Sequence, residues 1–142
     1  MNLSEQRASI ESLFFSKWDS NKTPVKFDNA VGLVKGSTPV KDETKLDEWC
    51  RITIENQSAD YAALGRKMVR HTGVVIVTIF TKVNVGTKRA RELADSVSEV
   101  FASSTDVNMI YYPTQVVNAM QDPNAGLYQV TTQTPFIIDQ YL

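Results

Sequence analysis

The chain has 142 residues, a length that fits one domain with a substantial core. It is 42% hydrophobic and 22% charged, as ordinary soluble globular proteins are, and no run approaches the roughly 18 consecutive apolar residues of a membrane helix. Its one cysteine, Cys50, excludes an internal disulfide and a zinc site with two thiolates. Its one histidine, His71, excludes a bis-histidine metal site.

The net charge of −1 hides an uneven distribution along the chain. Residues 1–91 hold all 15 basic and 10 acidic residues, whereas residues 92–142 hold 6 acidic residues and no basic one. The two parts therefore carry +5 and −6. This polarity favours head-to-tail contacts between identical subunits, unless the fold mixes the two parts on one surface.

The amino-terminal third predicts one helix and one long loop. Residues 4–18 have an amphipathic helical pattern with Asn2 or Ser4 as the cap, and they lack the basic leader and apolar run of a signal peptide. Residues 25–27 form a short extended piece. Residues 29–48 are too polar for a core and too numerous for an ordinary turn, so we expect a loop that is mobile or ordered by a partner. Its alternating charges indicate a solvated run rather than a metal site.

Two strands follow, at residues 48–56 and 72–83, and we expect them to pair antiparallel. The second has mostly apolar residues on both faces, which predicts a central strand covered on each side. Cys50 lies on the inner face of the first strand, where a buried structural thiol is expected. Residues 57–71 are predicted to form a second long, mobile loop at the sheet edge, which carries Arg66, Lys67, Arg70 and His71.

A turn at Gly86 and a cap at Thr87 begin the second predicted helix. Its apolar stripe comprises Ala90, Leu93, Ala94, Val97, Val100 and Phe101. Lys88, Arg89 and Arg91 lie in its first turns, where the helix macrodipole disfavours cations. They indicate either a solvated helix start or a contact with an acidic partner surface or nucleic acid phosphate.

The remaining elements complete an α+β fold, which we predict as a single domain over residues 1–142. Residues 107–112 and 115–119 are short strand candidates, residues 121–126 form a turn, and residues 127–139 form the closing strand. Pro135 predicts that the closing strand, with Tyr128 and Val130, lies at an edge or carries a bulge. The architecture is a mainly antiparallel, mixed β-sheet with two amphipathic helices packed on it.

No cofactor or catalytic signature is present in the sequence. GxGxxG, GxxxxGK[ST], HExxH, CxxC and GxSxG are all missing. We therefore expect no cofactor, no bound metal and no enzymatic activity. The alternative is a small α+β enzyme in which His71 acts with a nearby carboxylate as acid and base.

Together these segments resemble the tail terminator proteins of long-tailed bacteriophages. The resemblance rests on the strand EWCRITIEN, on the run HTGVVIVTIFTKVNVG followed by the helix TKRARELADSVSEVF, and on the closing strand LYQVTTQTPFII. It covers residues 9–138 and is strongest over residues 66–101. The spacing of Arg70, Gly73 and Gly86 carries it in that stretch.

The resemblance implies a virion protein that forms a ring, a hexamer of this chain, at the head-proximal end of the tail. Assembly would take place in the host cytoplasm, without a membrane. The ring would cap the completed tube, contact the tube protein and a head or neck completion protein, and let DNA pass its lumen without sequence-specific binding. The residues that we expect to make contacts are Arg66, Lys67, Arg70, Lys88, Arg89, Arg91, Tyr128 and Val130. Another head-to-tail connector or minor tail subunit is the nearer alternative.

Overall fold

A computed structural model describes residues 2–18, 23–27, 33–35, 38–40, 48–62, 65, 67–83, 86–122 and 126–142. Within these ranges the chain forms two helices and eight strands. In chain order they are α1 (Leu3–Lys17), β1 (Val25–Phe27), β2 (Leu33–Lys35), β3 (Thr38–Val40), β4 (Trp49–Tyr61), β5 (Met68–Lys82), α2 (Lys88–Ala102), β6 (Met109–Tyr111), β7 (Gln115–Asp122) and β8 (Leu127–Tyr141). The predicted α+β fold with a mainly antiparallel, mixed sheet is confirmed.

The described strands form one sheet in the order β3-β2-β1-β4-β5-β8-β6, and β7 also pairs with β8, on the β6 side. β1 and β4 are parallel, and the other neighbours are antiparallel. β5 is central, as predicted, between β4 and β8. It pairs with β8 without interruption from Met68↔Tyr141 to Lys82↔Leu127.

The core lies between the two helices and one face of this sheet. Alternate residues of the three long strands point towards the helices because side chains alternate across a strand. The sheet contributes Cys50, Ile52, Val75, Val77, Ile79, Val130, Phe136 and Ile138. α2 buries all six residues of its predicted stripe, and α1 adds Ile10 and Phe14. The predicted buried thiol is confirmed, and this burial raises the pKa of Cys50 to about 12.

The helix starts differ in how they are capped. Asn2 caps α1, as predicted: its side chain accepts from the Glu5 backbone N–H, and the Glu5 carboxylate accepts from the Asn2 N–H, both at 2.9 Å. Thr87 occupies the corresponding position of α2 but makes no side-chain cap hydrogen bond. Its backbone is already in the helical region rather than the extended one that a capping hydroxyl requires. Neither described helix is long and apolar enough to cross a membrane.

The two predicted long loops are corrected by the strands found within them. The predicted loop at residues 57–71 is wrong, because β4 continues to Tyr61 and β5 already begins at Met68. The two strands stay paired over this stretch, with a register shift between Asn56 and Ser58. The side chains there are largely polar and solvent-exposed, so the hydrophobic pattern ends before the backbone ladder does. In the segment 29–48, β2 and β3 replace part of the predicted loop, and most of the rest lies outside the described residues.

The predicted edge position of the closing strand is also wrong. β8 has β5 on one side and both β6 and β7 on the other. The Pro135 carbonyl accepts from the Tyr112 N–H at 2.8 Å, so its nitrogen faces the gap between β6 and β7, where no ladder donor is required. A proline is therefore accommodated in an interior strand.

Gly73 provides a test of the packing at the centre of the sheet. A Cβ atom built there would lie 2.6 Å from Phe136 Cζ and 2.7 Å from the Glu55 carbonyl oxygen. We expect Gly73→Ala to lower the free energy of unfolding by about 2 kcal/mol, measured by denaturant titration, because overpacking forces shifts in both neighbours. Combined with Phe136→Leu, it should cost less than the sum of the two single changes. Strict additivity would show that the ring does not oppose the new methyl group.

Candidate interaction surfaces

The basic residues predicted to make contacts lie at two opposite ends of the sheet. Lys67 and Arg70 lie at the start of β5, whereas Lys88, Arg89 and Arg91 follow its end. A 15-residue strand is roughly 45 Å long, so these two groups cannot form a single surface. Arg66 lies outside the described residues.

The first of these ends, called here the projecting end, consists of residues 58–61, 67–71 and 139–142. It extends β4, β5 and β8 beyond Ile138, the last fully buried residue of β8. The Leu142 N–H donates to the Lys67 carbonyl at 2.9 Å, which ties the carboxyl terminus to β5. The exposed large side chains of this end are Tyr61, Tyr141 and Leu142, which are 59%, 71% and 70% exposed. The projecting end is thus an ordered extension with an apolar tip.

Two polar pairs hold β5 and β8 together at the projecting end. The Arg70 guanidinium donates to both carboxylate oxygens of Asp139, at 2.8 and 3.1 Å. His71 Nε2 lies 2.9 Å from Gln140 Oε1, so its partner here is an amide and not the carboxylate that acid-base chemistry would need. The Arg70–Asp139 pair also joins the basic and acidic parts of the chain on one surface.

The second end, called here the basic end, consists of residues 86–91 together with Glu48. The Arg89 guanidinium donates to both oxygens of the Glu48 carboxylate, at 2.8 to 3.2 Å, and so ties α2 to the start of β4. Lys88 is 91% exposed and lies 3.9 Å from Glu92, and Arg91 is exposed as well. Arg89 therefore has a structural role, and Lys88 and Arg91 supply the accessible positive charge.

The two candidate residues on β8 are less accessible than predicted. Val130 is 2% exposed and belongs to the core, so it cannot contact a partner. Tyr128 is half-buried and packs against the same core. Both point towards the helices, because even-numbered residues of β8 share that face.

The β7 edge, residues 115–122, is a candidate that the sequence analysis did not select. In the described part of the chain, β7 pairs only with β8, so its other side is an unpaired sheet edge. Val116, Val117 and Met120 are 45% to 48% exposed there. Residues 115–121 contain no charge, although edge strands are usually protected by charged side chains. In the sequence, a strand candidate without charged residues was the feature that could have indicated this edge as an interaction surface.

A groove runs beside the opposite edge of the sheet, between α1 and β4. It encloses about 340 Å³ and is lined by Leu3, Gln6, Arg7, Glu11, Ile52, Ile54 and Asn56. Gln6 is 1% exposed; its Oε1 accepts from Asn56 Nδ2 at 3.3 Å, and its Nε2 has no partner among the described residues. β1 covers β4 only from Cys50 to Ile52, and no described strand pairs with that side of β4 over residues 54–60.

The molecule is an α+β domain with two helices packed on one sheet face and with candidate contact surfaces at its ends and edges. A family model for phage tail terminator proteins matches residues 11–135. The chain belongs to this family, which gives it a structural role in a phage tail and makes it a virion component.

Solved structures support the fold. One solved structure matches with a TM-score of 0.67 over 100% of this chain and 99% of its own chain, at 15% identity. At this identity the likeness shows the fold alone. The comparison with curated proteins found no match.

The Arg70–Asp139 pair makes a testable contribution to acid stability. The hydrogen bond from Arg70 lowers the pKa of Asp139. A carboxyl group whose pKa is lowered on folding stabilises the protein above its unfolded pKa of about 3.9, and this contribution is lost as the pH falls through the folded value. We therefore expect Asp139→Asn to lower the melting temperature at pH 7 and to flatten the decline of stability below about pH 4.

Asp95→Asn is the matched control, because Asp95 is exposed on α2 and has no ion pair among the described residues. Thermal melts of both variants from pH 2 to 7 make the comparison. Equal curves for Asp139→Asn and Asp95→Asn would show that the Arg70 pair adds no stability.

Proposed function

We propose that six copies of this protein form a ring that caps the completed tail tube at its head-proximal end. The ring stops further addition of tube protein and provides the surface that joins the tail to a head or neck completion protein. The observation that carries this proposal is membership of the tail terminator family over residues 11–135.

The shape of the subunit supports a ring with two unlike axial faces. If the ring axis follows the long strands, the projecting end and the basic end lie on opposite faces. One end offers the apolar side chains of Tyr61, Tyr141 and Leu142, and the other offers the cations Lys88 and Arg91. A terminator needs such a difference, because one face must match the tube while the other must not accept more tube protein.

The sheet face opposite the helices suits the lumen through which DNA passes. At its centre β8 and β7 place Thr131, Gln133 and Gln115, which are uncharged, and β4 places the exposed cation Arg51 beside the buried Thr78. Arg70, nearer the projecting end, is neutralised by Asp139. Neutral side chains bind phosphate weakly, and a cation such as Arg51 contacts the phosphate backbone without reading bases, so DNA moves past without sequence-specific contacts.

Light scattering of the purified chain, alone and with tail tubes, followed by negative-stain imaging, tests this function. We expect the protein to cap one end of each tube and to prevent further growth when tube subunits are added. A chain that stays monomeric and leaves tubes uncapped would contradict the proposal. Binding elsewhere on the particle would instead indicate a connector or minor tail subunit.

Charge reversal at the two ends assigns the axial faces. We expect Lys88→Glu with Arg91→Glu to leave the ring intact and to block one step, either tube capping or head joining, because repulsion replaces attraction at that face. Lys67→Glu, at the projecting end, is the matched control and should spare the step that the first variant blocks. Tails that are capped and joined normally in both variants would show that these charges do not face the partners.

A further inference from the structure

One sheet of this subunit has two unpaired edges of similar length. The β7 edge has eight residues, and the second edge, residues 54–60 of β4, has seven. Neither has a strand partner on its outer side in the described part of the chain. Unpaired backbone N–H and C=O groups at such edges are templates for pairing with another chain.

The two edges differ chemically in a complementary way. The β7 edge presents exposed apolar side chains, Val116 among them, and no charge over residues 115–121. The β4 edge instead borders the groove beneath α1, whose wall includes the exposed Leu3 and the partly exposed Ile54. An apolar strand placed along β4 would cover both of these side chains.

Gln6 gives an independent sign that this groove takes a strand. Its side-chain amide is buried and lines the groove, and its Nε2 donor has no partner in the part of the chain that the structure describes. A buried unsatisfied donor destabilises the protein, so native structures rarely keep one. Backbone carbonyl oxygens of a strand laid along β4 are acceptors of the kind that this donor lacks.

The strand directions allow the two edges to meet in a cyclic assembly. β5 is antiparallel to β4, β8 to β5, and β7 to β8, so β7 runs opposite to β4. β7 lies level with residues 49–53 of β4 within one copy, so the two edges meet only if the strands are tilted against the ring axis, as they are in closed barrels. A rotation about such an axis keeps the sense of each strand, so β7 of one copy meets β4 of the next copy antiparallel. That is the pairing used by most of the sheet, and a contact between two different edges is the heterologous type that rings require.

We propose that the β7 edge of one copy pairs with residues 54–60 of β4 in the next copy and that Val116 enters the groove beneath α1 of that copy. This inference rests on the proposed ring and identifies its lateral contact. Because Val116 registers with the buried Thr132, its side chain is on the helix side of the sheet, which is the side of the groove.

Val116→Lys tests the donor edge. We expect the apparent dissociation constant for self-association to rise about tenfold or more, by sedimentation velocity over a concentration series, because the ammonium group would lose its hydration in a groove whose Glu11 carboxylate is already paired with Arg7. Val107→Lys is the matched control, since Val107 is 90% exposed in the turn between α2 and β6 and lies off the β7 edge. Equal weakening by both variants would overturn the proposal.

Gln6→Met tests whether the groove binds a strand of the next copy. Self-association should weaken without a loss of monomer stability, which a purely structural role of Gln6 would not produce. The change keeps the side-chain length and removes the unsatisfied donor, so the monomer should unfold at the same or a higher denaturant concentration. Self-association should nevertheless weaken several-fold, because the acceptor on the incoming strand loses its donor. A destabilised monomer with unchanged self-association would overturn this assignment.

Crosslinking tests the pairing directly. The double variant Asn56→Cys with Asn118→Cys should give a ladder of multimers with a bis-maleimide, whereas a mixture of the two single variants should give crosslinked dimers, because each chain then carries one new thiol. Neither single variant should do so alone, and Cys50 is 0% exposed and should not react. Crosslinking of Asn118→Cys by itself would show two-fold pairing of β7 edges and would overturn the proposal, as would assembled rings without crosslinks.

These outcomes separate the lateral contact from the proposed function. Capped tubes that are insensitive to Val116→Lys would overturn the edge pairing and leave the terminator function standing. Edge-dependent crosslinks from a protein that never binds tubes would support the edge pairing and contradict the terminator function.

Discussion

The pairing of β5 with β8 is the constraint on which the rest of the structure depends. Fifteen residue pairs run from Met68↔Tyr141 to Lys82↔Leu127 without a register shift. Because side chains alternate across a strand, this one register decides which residues of the central strands face the helices. A slip of one residue would put Thr131, Gln133 and Pro135 of β8 into the core. Gly73 favours the observed register, because the Phe136 ring occupies the space beside it that the Cβ of any other residue would need.

The same register places Pro135 beside the gap between β6 and β7. Thr132 and Thr134 are fully buried on the core face, where Thr132 Oγ1 donates to the Val77 carbonyl at 3.0 Å and Thr134 pairs with Thr114 at 2.7 Å. Thr114 lies in the gap between β6 and β7, which Pro135 faces without an N–H. Two strands, β6 and β7, therefore share this side of β8, and among the described residues β7 pairs only with residues 127–133.

The sequence predicted well those elements whose hydrophobic residues follow a regular pattern. The six-residue stripe of α2, the two apolar faces of β5 and the buried Cys50 follow from periodicity and were found as predicted. The β4 extension was missed because its residues beyond Asn56 are polar, and backbone pairing leaves no trace in hydrophobicity. Pro135 has no N–H and so indicated an edge strand. Its nitrogen instead faces the gap where β6 ends, and the place where β6 ends depends on tertiary packing, which the sequence pattern does not reveal. Val130 was predicted to make contacts because its strand was expected at an edge, and it is buried because β8 is an interior strand.

Weak lateral contacts would suit the proposed tube-capping function, in which assembly begins only on a finished tube. Under the proposed edge pairing, each subunit carries both halves of the contact, so strong self-association would give open filaments wherever ring closure failed. A strand contact of seven or eight residues is small beside a standard protein interface of roughly 1,600 Å², so it holds a ring poorly at low concentration. A tube end that binds six axial faces at once raises the local concentration of the edges. Closure then depends on the tube, and capping follows the completion of the tail.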